Sequence, residues 1–275
     1  MESEYNRMFP EMGVKISEWD IAGVYSSIAQ FPKAILLTQE TVDFLGNDAV
    51  CLDMITYRLT FITICEQAAG LPSAARCERL EKIIKFFHEE GTKKHRFDWG
   101  EHRAKAILAE DYYIDDKKDK ADKIFAELRS EVPKFPEDPL AGWVLFVCDR
   151  HDARRAYEKG EYEKALSYIK EAETGCFRFG HRGASKPLAM QQICELKAKI
   201  LRKLGKDQEA EWAEGDARRI AKNLAKCREA VAKIPLRIPR VTKRPDGTLH
   251  FDFENPIIIP KGETAGKEKN WPDRG

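Results

Sequence analysis

Histidine and cysteine are the residues whose spacing first suggests chemistry. His88-Glu89-Glu90 begins like the HExxH motif, in which two histidines on one helix face hold zinc and the Glu acts as base. The second histidine would be residue 92, which is Thr92, so that chemistry is not expected. His88, His95 and His102 recur every seventh residue and would stack on an unbroken helix. Gly91 and Gly100 are expected to interrupt it. Cys148-x2-His151 and Cys176-x4-His181 together offer four ligands of the kind that close a tetrahedral zinc site. The first pair reads as helical and the second as loop, and no CxxC supports them. Buried thiols and a loop histidine are the preferred account. No metal and no cofactor are expected. The sequence has no GxxxxGK[ST], GxGxxG or GxSxG, and its paired carboxylates lie on lysine-rich faces, where solvated ion pairs are the norm. The chain is therefore read as a non-enzyme. An unrecognised helical active site is an alternative, with His151 and His181 the first places to look.

The more informative chemistry is basic. The segment Gly175 to Pro187 sets Arg178, Arg182, His181 and Lys186 beside Phe177 and Phe179, with glycines that leave backbone free to approach a ligand. Charge is unevenly placed along the 275 residues, although the net is +1. Residues 1–70 carry 10 acids against 4 bases, whereas residues 141–222 carry 13 against 17 and residues 223–275 carry 7 against 11. Opposite signs in the two halves point to a basic surface for an acidic partner and an acidic face for a basic one. A generic soluble surface is the alternative.

These side chains need a scaffold. Hydrophobic residues at 43% and charged residues at 34% exclude a wholly disordered chain and a membrane protein. Seven cysteines without a CxxC pair, and an N-terminus without a signal-peptide pattern, lead to an expectation of reduced thiols and a cytoplasmic location. Residues 14–230 read mostly as helix, being rich in Ala, Leu, Lys and Glu with apolar residues recurring at three and four. Breaks are expected at Pro32, Gly46, Gly70 to Pro72, Gly91, Gly100, Pro133 to Pro139, Gly160, Gly175 to Pro187 and Gly205. Asp20 is expected to cap a helix running to Phe31, and Thr38 or Thr41 one ending near Leu45. From Ile234 onward the prolines forbid further helix. Val241 to Phe253 reads as a small β-hairpin turning at Pro245-Asp246-Gly247, with Leu249, Phe251 and Phe253 alternating with polar residues. An isolated hairpin is marginal in water and must dock on something.

An internal repeat organises the helical part. Ala153/Ala198, Gly160/Gly205, Ala165/Ala210 and Ala172/Ala217 match at one offset of 45 residues. Ala109 and Ala121 lie 44 residues before Ala153 and Ala165, with Asp116 in place of the turn glycine. Closely packed antiparallel helices need small residues where their axes approach, and a glycine where the first helix ends in a left-handed conformation. No repeat signal stands out in residues 1–100.

Ala153-x6-Gly160-x-Tyr162-x2-Ala165-x6-Ala172 resembles the tetratricopeptide repeat, and Ala198-x6-Gly205-x4-Ala210-x6-Ala217 follows without the Tyr. The resemblance is clearest at residues 146–175 and 191–222 and covers roughly 120 of the 275 residues. Asp149 and Cys194 stand where the family has Trp, and the repeat is longer than the family's 34 residues. The resemblance implies an all-α fold: a superhelical stack of antiparallel helical hairpins, here with the small C-terminal β-hairpin. The chain divides into an N-terminal helical region at 1–100, repeats at 101–233 and a Pro-rich extension at 234–275. Stacking as in the family implies a groove lined by Glu110 and Tyr113, then Arg150, Arg154 and Tyr157, then Lys199, Arg202 and Lys203. Phe177, Arg178, Phe179 and Arg182 join it from the connecting segment. The family's carboxylate clamp is not matched, since Gln192 and Leu196 occupy its last basic positions. The function implied is a protein- or peptide-binding adaptor or regulator for an acidic segment, with a homo-oligomer also possible. A nucleic-acid accessory role is a further alternative, which the near-zero net charge disfavours.

Overall fold

Five sharp turns among the described residues set the architecture. At Ala29, Gly70, Asp116, Gly160 and Gly205 the backbone enters the left-handed region, with φ between 58° and 77°. At each, the next residue's N–H reaches back five positions: Gln30 to Tyr25 O, Leu71 to Glu66 O, Lys117 to Tyr112 O, Glu161 to Ala156 O and Lys206 to Leu201 O, at 2.8–3.1 Å. The turn residue's own N–H reaches back three. This double closure satisfies carbonyls that a helix end leaves without partners and reverses the chain in two or three residues. Glycine takes the conformation freely, whereas Ala29 and Asp116 adopt it against their Cβ atoms. The spacings are 41, 46, 44 and 45 residues, so the same turn recurs at a similar interval within the first hundred residues. The match is partial there: Ala22 and Ala34 flank Ala29, and Ala75 follows Gly70, at the offsets of Ala153 and Ala165 from Gly160, but Thr63 replaces the alanine before Gly70, and Thr41 and Lys82 stand where Ala172 would align.

The structure is a computed structural model that describes residues 22–23, 25–45, 52–94, 99–132, 139–180, 183, 185–232, 236–243 and 249–259. Between residues 22 and 232 the described chain is helix and tight turn throughout. Residues 22–23 and 25–27 are helical. The helices that follow are α1 (Phe31–Leu45), α2 (Leu52–Ala68), α3 (Ala74–Lys94), α4 (Trp99–Ile114), α5 (Lys118–Glu131), α6 (Pro139–Glu158), α7 (Tyr162–Phe179), α8 (Lys186–Lys203) and α9 (Asp207–Ala232). Each packs on its successor. In addition α2 meets α4, α4 meets α6 and α6 meets α8, so the first helices of successive pairs form one continuous row. This arrangement of packed neighbouring pairs is compatible with a helical repeat. Two strands follow, β1 (Leu236–Lys243) and β2 (Leu249–Ile259), paired antiparallel with Leu236 opposite Ile259 and Lys243 opposite Leu249. The register slips between Ile238 and Arg240, around Pro239, which has no N–H to give the ladder. The expected turn at Pro245 to Gly247 lies outside the described residues. No described helix is long and apolar enough to cross a membrane.

Several expected breaks are absent. Pro32 lies in the first turn of α1, where a missing N–H costs nothing, and the helix runs on to Leu45. Thr38 sits inside that helix and donates to Ala34 O at 2.7 Å, so it caps nothing. Asp20 and the side chain of Thr41 lie outside the described part. Gly91 is within α3, Gly100 within α4 and Gly175 within α7. At Gly175 a Cβ would lie 2.9 Å from Phe146 Cβ, so this glycine marks the close approach of α6 and α7.

The aligned alanines do what small residues at a crossing must. Ala109, Ala121, Ala153, Ala165, Ala172, Ala198, Ala210 and Ala217 are all buried. Ala165→Leu or Ala210→Leu should overpack the contact by about 1–3 kcal/mol. The expected outcome is a fall in Tm of several degrees by circular dichroism; an unchanged Tm for both variants would show that the pairs do not pack through these positions.

Candidate functional site

Two adjacent carboxylates near the end of α4 face opposite neighbours, because consecutive helical residues point about 100° apart. Asp111 turns back toward the preceding pair. It takes a two-point contact from Arg76 of α3, Nε to Oδ2 and Nη2 to Oδ1, each at 2.7 Å. Gln67 of α2 adds a third bond at 2.8 Å, and Arg76 Nη1 donates to Leu71 O at 2.9 Å. Arg76 and Asp111 are both buried, and geometry of this kind is what makes a desolvated pair tolerable.

Glu110 turns forward to α6. It binds Arg150, and Arg154 Nη1 at 3.1 Å. The two arginines stand four apart, hence on one face of α6. Burial alone would push the Glu110 carboxyl up; Arg150, Arg154 and His151 outweigh it and hold the group below the usual carboxylate range. Arg154 also lies over the Tyr113 ring at 5.7 Å, and Tyr113 donates to Glu158 at 2.6 Å. The Nε of Arg150 is buried without a hydrogen-bond partner among the described residues.

These groups border a cleft of about 220 Å³ on the first-helix row. Ile64 and Gln67 come from α2, Ala106 and Glu110 from α4, Trp143, Phe146, Arg150 and Arg154 from α6, and Leu188 and Ala189 from α8. Aromatic and aliphatic walls with a few convergent polar groups are the ordinary build of a binding site. A shallower opening of about 470 Å³ lies over Ile84, Leu108 and Ile124. Its rim is internally matched, with Lys105 bonded to Glu101 and Glu127 at 2.8 and 2.6 Å.

The residues singled out from the sequence separate. Arg150 and Arg154 line the cleft, each already sharing Glu110. Tyr157 is half-buried with its ring 5.7 Å from Tyr162. Phe179 is half-buried and packs on Gly142. Phe177 is 71% exposed, with the Lys186 ammonium 4.7 Å from its ring centre, and Arg178 is exposed. Lys199, Arg202 and Lys203 are exposed on the last turns of α8 and do not border the cleft; Arg202 pairs with Glu214 at 2.9 Å. Arg182 and His181 lie outside the described residues. Gln67, Trp143, Leu188 and Ala189 were not singled out as lining residues. The Glu110 pairing had one sequence signal: Glu110 precedes Arg154 by 44 residues, the repeat spacing, so opposite charges occupy one register of adjacent pairs.

Of the histidines and cysteines weighed as ligands, Cys148, His151 and Cys176 are buried in the helix packing. His151 is buried, bonded through Nε2 to Asp122 at 2.7 Å and stacked on Phe125 at 4.1 Å. Burial lowers its pKa against the pull of Asp122. Burial pushes the Cys148 thiol up to about 12 and Cys176 to about 11, so both are protonated at neutral pH. His102 is held by Glu131 at 2.6 Å. His95 lies outside the described residues, and among those described no three His, Cys, Asp or Glu are grouped to hold a metal ion. No protein-family model matches this chain, and no curated protein matches it significantly.

Two outcomes follow for stability. Glu110→Ala leaves two desolvated guanidiniums without their acid and should cost about 3–5 kcal/mol in urea unfolding. A loss below about 1 kcal/mol, the scale of an exposed pair, would show the triad to be solvated. His151 binds its proton less readily folded than unfolded, so its contribution is full above about pH 6.5 and is lost as pH falls toward the lowered folded value. The urea midpoint should therefore drop between pH 7.5 and 5.5, and His151→Gln should remove much of that dependence.

Proposed function

We propose that this chain is a protein- or peptide-binding adaptor, a superhelical stack of tetratricopeptide-like hairpins with the two C-terminal strands as a small β-hairpin appendage. Its ligand is an acidic segment of another protein, met in the cytoplasm. The observation that carries the reading is the cleft itself. On the first-helix row, two arginines share one carboxylate, so the wall keeps an excess positive charge, and Arg150 Nε has a donor to offer. Trp143, Phe146 and Tyr113 stand beside it as apolar anchors. Arginine gives carboxylates planar two-point contact, while buried aromatic surface supplies the affinity that screened charge alone cannot. A cleft of about 220 Å³ holds one or two side chains, so the ligand inserts an anchor and lays the rest along the rim. The cations of α8, Lys199, Arg202 and Lys203, attract the approaching segment from outside the cleft.

Fluorescence polarisation with labelled peptides tests this. An acidic peptide containing one aromatic or aliphatic anchor should bind, its charge-reversed counterpart should not, and affinity should fall steeply between 50 and 300 mM salt. Ala189→Trp fills the cleft from α8 without touching the ion pairs and should weaken binding at least tenfold with Tm unchanged. Equal binding of both peptides, or undiminished binding by the filled variant, would remove the cleft as the ligand site.

A further inference from the structure

The described chain opens on a fixed point near the cleft. Ala22, Tyr25 and Phe31, on either side of the Ala29 turn, are buried in the hydrophobic core. The Cys65 thiol of α2 donates to Ser26 Oγ at 3.7 Å. Ser185 Oγ donates to Ser27 O at 2.8 Å, and Arg228 Nε of α9 donates to Ile28 O at 2.9 Å. No described residue between 22 and 30 borders the cleft, but two of these contacts are made beside its walls. Ser185 lines it, and so does Ile64, the residue before Cys65. Ala22 stands about one helical turn before Ser26. Residues 1–21 are therefore joined to the fold within about 15 Å of the cleft, one turn and one helix spacing away.

The composition of residues 1–21 fits that cleft. They carry Glu2, Glu4, Glu11, Glu18 and Asp20 against Arg7 and Lys15. Phe9 lies between the acids Glu4 and Glu11. An apolar anchor flanked by carboxylates is what Trp143, Phe146, Arg150 and Arg154 are arranged to receive. The other end of the sequence does not match. Residues 260–275 carry Lys261, Lys267, Lys269 and Arg274 against Glu263, Glu268 and Asp273, an excess of positive charge facing a positive wall. From Phe9 to Ala22 the backbone can span up to about 45 Å, roughly three times the distance to the cleft. A tether of this length gives a local concentration in the millimolar range. A partner's segment at micromolar concentration therefore meets a like competitor present at about a thousandfold excess.

We propose that the acidic segment of residues 1–21 is the cleft's own ligand in cis, with Phe9 as the anchor and Glu4 and Glu11 as the acids that meet Arg150 and Arg154. A partner's acidic segment binds by displacing it, so the site is self-masked. Its affinity for a partner is the difference between two ligands of the same chemistry. This rests on reading the cleft as a site for acidic segments.

Photo-cross-linking of the full chain tests the contact without any added peptide. With p-benzoylphenylalanine in place of Phe9, irradiation should join position 9 to cleft residues, chiefly Trp143, Phe146 and Leu188, as mapped by mass spectrometry. In an equal mixture of isotope-labelled and unlabelled chains, each product should carry one isotope only. Ala189→Trp, which fills the cleft, should cut the yield at least fivefold. Cross-links confined to residues outside the cleft would overturn the proposal. Products of mixed isotope would also overturn it, by making the segment a ligand for a second copy. Competition gives the second arm. Glu4→Lys/Phe9→Ala/Glu11→Lys should bind the labelled acidic peptide at least tenfold more tightly than the parent, and adding Ala189→Trp should abolish that gain. Equal affinity of variant and parent would overturn self-masking. If the peptide binds neither protein while position 9 still joins the cleft, the cis contact stands and the reading of the cleft as a partner's site falls.

Discussion

The stack depends on how Glu110 and Asp111 divide their work. Side by side on α4, they are forced by the helix to face different neighbours. Asp111 fixes α4 against Arg76 and Gln67 of the preceding pair, and Glu110 fixes it against Arg150 and Arg154 of the following one. Removing these charges from water costs nearly what their attraction returns, so the pairs add little net stability. Their effect is on alternatives. Any slip of α4 along α3 or α6 would strand a desolvated charge, which costs several kcal/mol, so the register between successive pairs is held to one value.

Within each pair the constraint is the turn. Five closures of one type reverse the chain at nearly even intervals, and they work with alanine at the crossings and with glycine where helices touch. The outcome is that every first helix has the next first helix beside it. A row of this kind presents one side chain register repeatedly along one face, and this is why a charge at one pair finds its partner about 44 residues later.

The same packing decides what the cleft can offer. Arg150 and Arg154 are brought to it and partly neutralised by Glu110, while the cations of α8 point outward. The site is therefore a small apolar-aromatic recess with a modest positive wall, and less of an open basic groove than five converging cations would make.

The sequence by itself determined the helical class, the turns at Gly160 and Gly205 and the small residues at the crossings. Each is a local requirement: a φ that only glycine meets freely, or an alanine at a fixed offset from it. The turns at Ala29 and Gly70 use the same geometry with a fainter pattern: Ala22, Ala34 and Ala75 stand at the matching offsets, but Ala29 replaces the turn glycine, Thr63 one flanking alanine, and Thr41 and Lys82 the alanines twelve positions on. Gly91, Gly100 and Gly175 carried the opposite ambiguity; a glycine can end a helix or let another helix approach, and only the neighbour decides which. Tertiary structure alone placed Glu110 between two arginines and Ser185 and Arg228 on the carbonyls of residues 27 and 28. Those contacts join residues 40 to 200 positions apart. They depend on how far each helical pair rotates against the next, a quantity set by the packed sum of all the interfaces and written at no single position.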